Sequence, residues 1–126
     1  VANLQHALIL RKGLLLPEGL LAAQTFHVGS EFVLKRIQEQ KPFTEEELAW
    51  MKDPYVAVLS VQTVEELKDV YDDAIHKLNG KCDITRWDDF LYHPVLKKAL
   101  KTFVGFSIGP ADADVIRTVT GKLPPY

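Results

Sequence analysis

The fold class this sequence predicts is α/β: a single small domain with a four-stranded mixed sheet and helices on both faces. Three observations predict it. Short β-like runs alternate with stretches of helical period, the order that lays helices over a sheet. Two Thr-x-x-Glu boxes, Thr44 with Glu47 and Thr63 with Glu66, mark helix starts. Residues 55–61, Tyr-Val-Ala-Val-Leu-Ser-Val, are β-branched and bounded by turn residues. The 126 residues amount to one domain, taken as residues 1–126.

Residues 5–10 form the first strand, which ends at Arg11-Lys12-Gly13. Pro17 opens a helix, since its fixed φ suits the first turn. The apolar positions Leu20, Ala23, Phe26, Val33 and Ile37 recur there at helical spacing, and Gly29 with Ser30 implies close packing. Pro42 ends this helix, and the Thr44 box starts a short one that reaches Met51. After Asp53-Pro54, residues 56–61 are expected as a central strand. Val64, Leu67, Tyr71, Ala74 and Leu78 then make one helix face, to be buried on the sheet, and Asn79-Gly80 closes that helix. Residues 81–86 read as a third strand. Residues 87–101 admit more than one reading, with a break at His93-Pro94 and one or two helical turns over 95–101. Residues 102–108 are the fourth strand. Gly109-Pro110 turns into a last helix over 111–120, with Asp112 and Asp114 at its positive end.

Composition narrows the function classes. Apolar residues make up 47% and charged residues 25%, the proportions of a folded globular chain. Fifteen basic against seventeen acidic residues give a net charge of −2, which excludes a generic polyanion binder. A local basic rim from Arg86, Lys97, Lys98 and Lys101 is still compatible with that balance. The single Cys82 excludes an internal disulfide framework and fits a reducing compartment, the cytoplasm. No apolar run approaches the roughly 20 residues of a membrane span, so no membrane partner is expected. Arg11 and Lys12 interrupt the early apolar stretch, so no signal peptide is expected. Phosphate-loop and dinucleotide motifs are missing, and His6, His76 and His93 lack metal-ligand spacing to one another or to Cys82. No cofactor and no metal are therefore expected.

Two clusters carry candidate chemistry. Gln24 and His27, three residues apart on a helix, share a face that Leu20 and Glu31 extend. A glutamine can position a carbonyl, and imidazole exchanges protons near neutral pH. The plainer alternative is a buried histidine bonded to a backbone carbonyl. Asp88, just past the third strand, could orient that histidine or a water, or could cap a turn; for Asp89 the cap is the preferred reading.

The segments Leu8-Ile9-Leu10-Arg11-Lys12 and Gly19-Leu20-Leu21-Ala22-Ala23-Gln24-Thr25-Phe26-His27 resemble the opening of the type II peptidyl-tRNA hydrolases. Ile108-Gly109-Pro110 and Val119-Thr120-Gly121-Lys122-Leu123 are similar to that family's closing motifs, at similar spacing. The resemblance implies the same four-stranded fold and an esterase that frees a peptide from tRNA. It implies His27, Asp88 and Thr102 as catalytic residues, and Gln24, Arg11, Lys97 and Lys98 as substrate-binding ones. It also implies tRNA as a partner and a homodimer as an assembly. The departures fall on the family's chemistry. Leu20 and Glu18 stand where the family has lysines, Gly13 where it has an aspartate, and Val104 where it has a threonine. Asp88 matches the family's aspartate only with a one-residue shift, and Thr102 replaces the threonine from two residues away. Loss of one charge-stabilising donor costs on the order of 2.7–4 kcal/mol of barrier. The sequence therefore supports two functions, a weakened peptidyl-tRNA hydrolase and a non-catalytic binding module for RNA or a protein. A polar lining around His27 favours the first, and an apolar lining from Leu20, Trp87 and Phe90 the second.

Overall fold

The structure, a computed structural model, describes residues 3–93 and 95–126. The chain runs β1 (Leu4–Arg11), a short 3-10 turn, α1 (Glu18–Gln38), α2 (Glu45–Lys52), β2 (Val56–Val61), α3 (Val64–Leu78), β3 (Ile84–His93), β4 (Lys98–Asp112) and α4 (Ala113–Thr120). The strands form one mixed sheet in the order β2-β1-β4-β3. β1 and β2 are parallel, and β4 runs antiparallel to both β1 and β3.

Alternation along β1 splits the core into two layers. Ala7 and Ile9 face α3 and α4, where Leu67, Ala74, Leu78, Phe103, Phe106, Ile108 and Ile116 are buried with them. Leu8 and Leu10 face α1, packing with Val28 and Leu21. His6, on that same side, meets Phe32 of α1 and Trp50 of α2 edge to face. The expected α3 face holds: Leu67, Ala74 and Leu78 are buried, and Val64 and Tyr71 pack against them. Thr44 and Glu47 form the reciprocal capping box. Thr63 accepts from the Glu66 amide, while the Glu66 carboxylate accepts from the Gln62 amide instead of closing its own box. Gly29 packs as expected, since a Cβ there would stand 3.2 Å from Leu8 Cδ1.

Four expectations change. First, β2 is an edge strand, not a central one, and Val56 is 44% exposed. The centre belongs to β1 and β4, the two strands with continuous buried runs. The C-terminal residues cover the free edge of β2: the Ser60 amide donates to Pro124 O at 3.0 Å and the Tyr126 amide to Val58 O at 2.9 Å. Second, residues 84–112 form a long antiparallel hairpin, so residues 95–101 are not helical. Phe90 pairs with Lys101, Leu91 with Leu100 and Tyr92 with Ala99. Ladder pairing of these aromatic-rich positions overrides the helical propensity of the Leu-Lys-Lys-Ala-Leu run. Pro94, the expected break, lies outside the described residues. Third, β4 continues through Gly109-Pro110, so the last helix begins at Ala113. Gly109 holds φ +94 there, and a Cβ would stand 2.9 Å from Gln5 O. Fourth, α1 buries Gln24, Val28 and Phe32, while the stripe through Phe26 and Ile37 faces away from the sheet.

Among the described residues, no helix is long and apolar enough to cross a membrane.

Candidate functional site

The C-terminal end of β1, the first turns of α1 and the middle of the β3–β4 hairpin converge. Helical spacing puts Gln24 and His27 side by side on α1, above β3. Strand alternation decides which β3 residues meet them. Trp87 and Asp89 lie two apart on one face, and Arg86 and Asp88 on the other.

Gln24 is buried and bonded at both ends of its amide. Its Oε1 accepts from the Trp87 indole Nε1 at 2.8 Å, and its Nε2 donates to Asp89 Oδ2 at 2.9 Å. These two bonds fix the orientation of the amide, because a flipped amide would set donor against donor and acceptor against acceptor. Asp89 Oδ1 accepts from the Phe90 amide at 2.7 Å, so both carboxylate oxygens are anchored. A carboxylate has about four acceptor positions, which leaves capacity for a water or a hydroxyl. His27 stacks on the Trp87 indole, with centroids 4.5 Å apart and planes 17° from parallel. It is half-buried, so its ring edge reaches the surface.

Arg11, at the end of β1, donates from Nη1 to Thr102 Oγ1 at 2.9 Å and to Phe103 O at 3.4 Å. Thr102 is the register partner of Asp89 across the hairpin. The fold brings four of the expected residues, Gln24, His27, Arg11 and Thr102, to one end of the sheet, with a third-strand carboxylate beside them.

That carboxylate is Asp89, in place of the expected Asp88. Asp88 accepts from Arg86 Nε at 3.0 Å on the opposite face, where the guanidinium lies 3.8 Å above the Phe103 ring. Asp89 is not a helix cap either, since no helix follows it. The missed signal was period-two alternation: with β3 read past Arg86, Trp87 and Asp89 share a face. Lys97 and Lys98 do not join the cluster. Lys97 sits in the hairpin turn, and Lys98 starts β4 opposite His93, four residues beyond Thr102, or roughly 13 Å along the strand. Val104, at the family's threonine position, is buried. Phe90 alternates away from Gln24 and is 65% exposed, and the rings beside His27 are the Trp87 indole at 4.5 Å and the Phe26 ring at 6.3 Å. A cavity of about 520 Å³ lies elsewhere, where Trp50, Tyr55 and Arg117 surround the start of β1.

The sequence, the four-stranded sheet and this cluster can be set beside known families. The family model of Peptidyl-tRNA hydrolase PTH2 matches residues 4–126. The chain belongs to that family. No curated protein matches it. Membership supports a hydrolase-like role in translation, with peptidyl-tRNA as the family's substrate.

Proposed function

We propose that this chain hydrolyses the ester joining a peptide to the 3′ end of tRNA, at the Gln24–His27–Trp87–Asp89 cluster. The observation that carries the reading is the Gln24–Asp89 hydrogen bond beside a histidine ring stacked on Trp87. It sets a fixed carboxylate and an imidazole on one Trp87–Gln24 pair.

In this reading His27 takes a proton from water as the water oxygen bonds to the ester carbonyl carbon. The bond to the ribose oxygen then breaks, and the proton passes to that leaving oxygen. Asp89, held by Gln24, orients the water or the terminal ribose. Arg11, held by Thr102, is the cation that replaces the family lysine lost at Leu20, in a less direct position. The exposed lysines at 97, 98 and 101 meet phosphates along the hairpin. With so few contacts, binding falls only shallowly with salt. A cytoplasmic site of action, expected from the lone Cys82, belongs to the same reading.

One observation favours a binding module: the carbonyl and one N–H of the Gln24 amide are already engaged by Trp87 and Asp89. Single-turnover cleavage of a labelled peptidyl-tRNA by the native chain, Leu20→Lys and His27→Ala separates the two. The hydrolase reading expects slow native cleavage, a faster Leu20→Lys and a loss with His27→Ala. Removing one charge-stabilising donor costs roughly a hundred- to a thousand-fold, and Leu20→Lys should recover part of that. No cleavage by any form supports the binding module.

A further inference from the structure

The cavity of about 520 Å³ at the start of β1 lies open between α2 and α4. Its volume falls in the range of small-molecule sites, roughly 300–1,000 Å³. Leu4 and Gln5, which line it, sit at the opposite end of β1 from Arg11, roughly 20 Å from the Gln24–His27 cluster. Ala49 of α2 and Ala113 of α4 line it with methyl groups only, so the gap between the two helices stays open. One wall is a fixed aromatic ring. The Trp50 indole N–H donates to Tyr55 O at 2.9 Å, and the same carbonyl accepts the His6 amide at 3.0 Å. Trp50 also meets His6 and Phe32 edge to face. A ring held in this way loses little freedom when a flat ligand stacks on it.

The polar groups of the cavity include both donors and acceptors. Gln5 is only 7% exposed, and among the described residues its side-chain amide has no hydrogen-bond partner. Buried amides are normally bonded. The backbone adds a second donor–acceptor pair. The Asn3 carbonyl faces β4, where it accepts the Ala113 amide at 2.7 Å. Alternation turns the Leu4 N–H and C=O the other way, toward the β2 side. β2 pairs only from Val56, opposite His6, so this edge of Leu4 opens on the cavity. We infer that the cavity binds a nucleoside, its base stacked on Trp50 and the edge of the base bonded to Leu4.

A nucleobase is a flat ring that stacks on aromatic side chains and offers a donor next to an acceptor on its edge. The N–H and C=O of Leu4 are the complement of that pair, and the Gln5 amide supplies a further donor and acceptor. Asp53, exposed at the rim, accepts from ribose hydroxyls. Charge narrows the class. Arg117 lines the cavity, and its Nη1 is already bonded to Asp114 at 3.0 Å. A phosphate placed there would meet the carboxylates of Asp114 and Asp53, so a nucleoside is favoured over a nucleotide or a strand. An ammonium group would leave the donors of Leu4, Gln5 and Arg117 without acceptors. An extended peptide needs a run of open backbone pairs, whereas β2 closes this edge from His6 onward. The inference does not depend on the hydrolase reading.

Titration of adenosine into the full chain, read by tryptophan fluorescence in a Trp87→Phe background, tests it. Trp50 is then the one indole in the chain. Excitation at the red edge of the indole band avoids absorption by adenosine. Adenosine should quench Trp50 saturably. Ala49→Leu fills the cavity from an exposed helix position. It should weaken binding by about 10-fold or more, as expected where base–aromatic stacking is lost, with an unchanged unfolding temperature. Asp53→Ala should weaken it by a smaller factor. Adenosine 5′-monophosphate should bind less tightly than adenosine at low salt, and a strand of four adenylates less tightly still. No saturable quenching by adenosine overturns the inference, as does quenching unaffected by both Ala49→Leu and Asp53→Ala. Tighter binding of the monophosphate or of the strand overturns the assignment to a nucleoside.

Discussion

Helix α1 is tied to the β3 side of the fold at both its ends, and the two ties differ in kind. Near its C-terminus, Arg36 donates to both oxygens of Asp83, at 3.0 and 2.9 Å, and its Nε lies 3.3 Å from the buried Glu47. One cation is shared by two carboxylates. Near its N-terminus, Gln24 holds Asp89 with a neutral amide, Trp87 holds Gln24, and a half-buried imidazole stacks alongside. The first tie pairs its charges within the fold. The second leaves a carboxylate that bonds no cation among the described residues, beside the Trp87 indole on which His27 stacks. Charge that the fold itself neutralises serves structure, and charge held only by dipoles is open to chemistry.

The C-terminal tie should break with the largest cost. Glu47→Ala removes a buried ion-pair partner and the acceptor of the Thr44 amide. Breaking a buried pair typically costs about 3–5 kcal/mol, and here about 3 is expected because Asp83 still pairs Arg36. Urea unfolding measures it.

The same tie should be sensitive to pH. Burial, and then the hydrogen bond with Asp83, push the Glu47 carboxyl up to about 7. The folded state therefore binds a proton that the unfolded state releases, and this contribution is lost as pH rises from about 4.5 to about 7. His6 acts in the opposite direction. Burial lowers it to about 4, against the attraction of Asp83, so its contribution is lost as pH falls from 6.5 towards 4. Glu47→Gln keeps an acceptor for Thr44 and removes the Glu47 titration. The stability difference between native and Glu47→Gln should drift by about 1–3 kcal/mol across the Glu47 window, with the His6 contribution cancelling. A flat difference in thermal unfolding would show that Glu47 does not titrate there.

At the N-terminal tie, Trp87→Phe keeps a ring beneath His27 but removes the donor to Gln24 Oε1. One unsatisfied buried acceptor costs about 1–3 kcal/mol, and the low end is expected because solvent reaches this cluster. Chemical denaturation of the two proteins side by side gives the value.

Much of this was legible in the chain. The α3 face, the Thr44 box and the Gln24–His27 pair follow from local spacing and appear as read, while of the Thr63 box only the Thr63 half forms. The hairpin was not legible, because Leu96, Lys97, Lys98, Ala99 and Leu100 favour a helix when considered alone. Only pairing with Tyr92, Leu91 and Phe90 across the hairpin makes Ala99, Leu100 and Lys101 strand, while Leu96 and Lys97 lie in the turn. That miss carried into the site, since Asp89 can be preferred to Asp88 only once β3 is known to continue. The edge position of β2 was hidden for a similar reason: its β-branched run looks central, and the tail at residues 124–126 shelters its free edge.

The central claim is that Asp89, and not its neighbour, belongs to the reacting site. Single-turnover cleavage of a labelled peptidyl-tRNA by the native chain, Asp89→Asn and Asp88→Asn tests it most directly. The expected result is measurable native cleavage, a loss of roughly a hundred-fold or more for Asp89→Asn, and a change of at most a few-fold for Asp88→Asn. An Asp88→Asn loss as large as that of Asp89→Asn, or an Asp89→Asn rate equal to native, would contradict it.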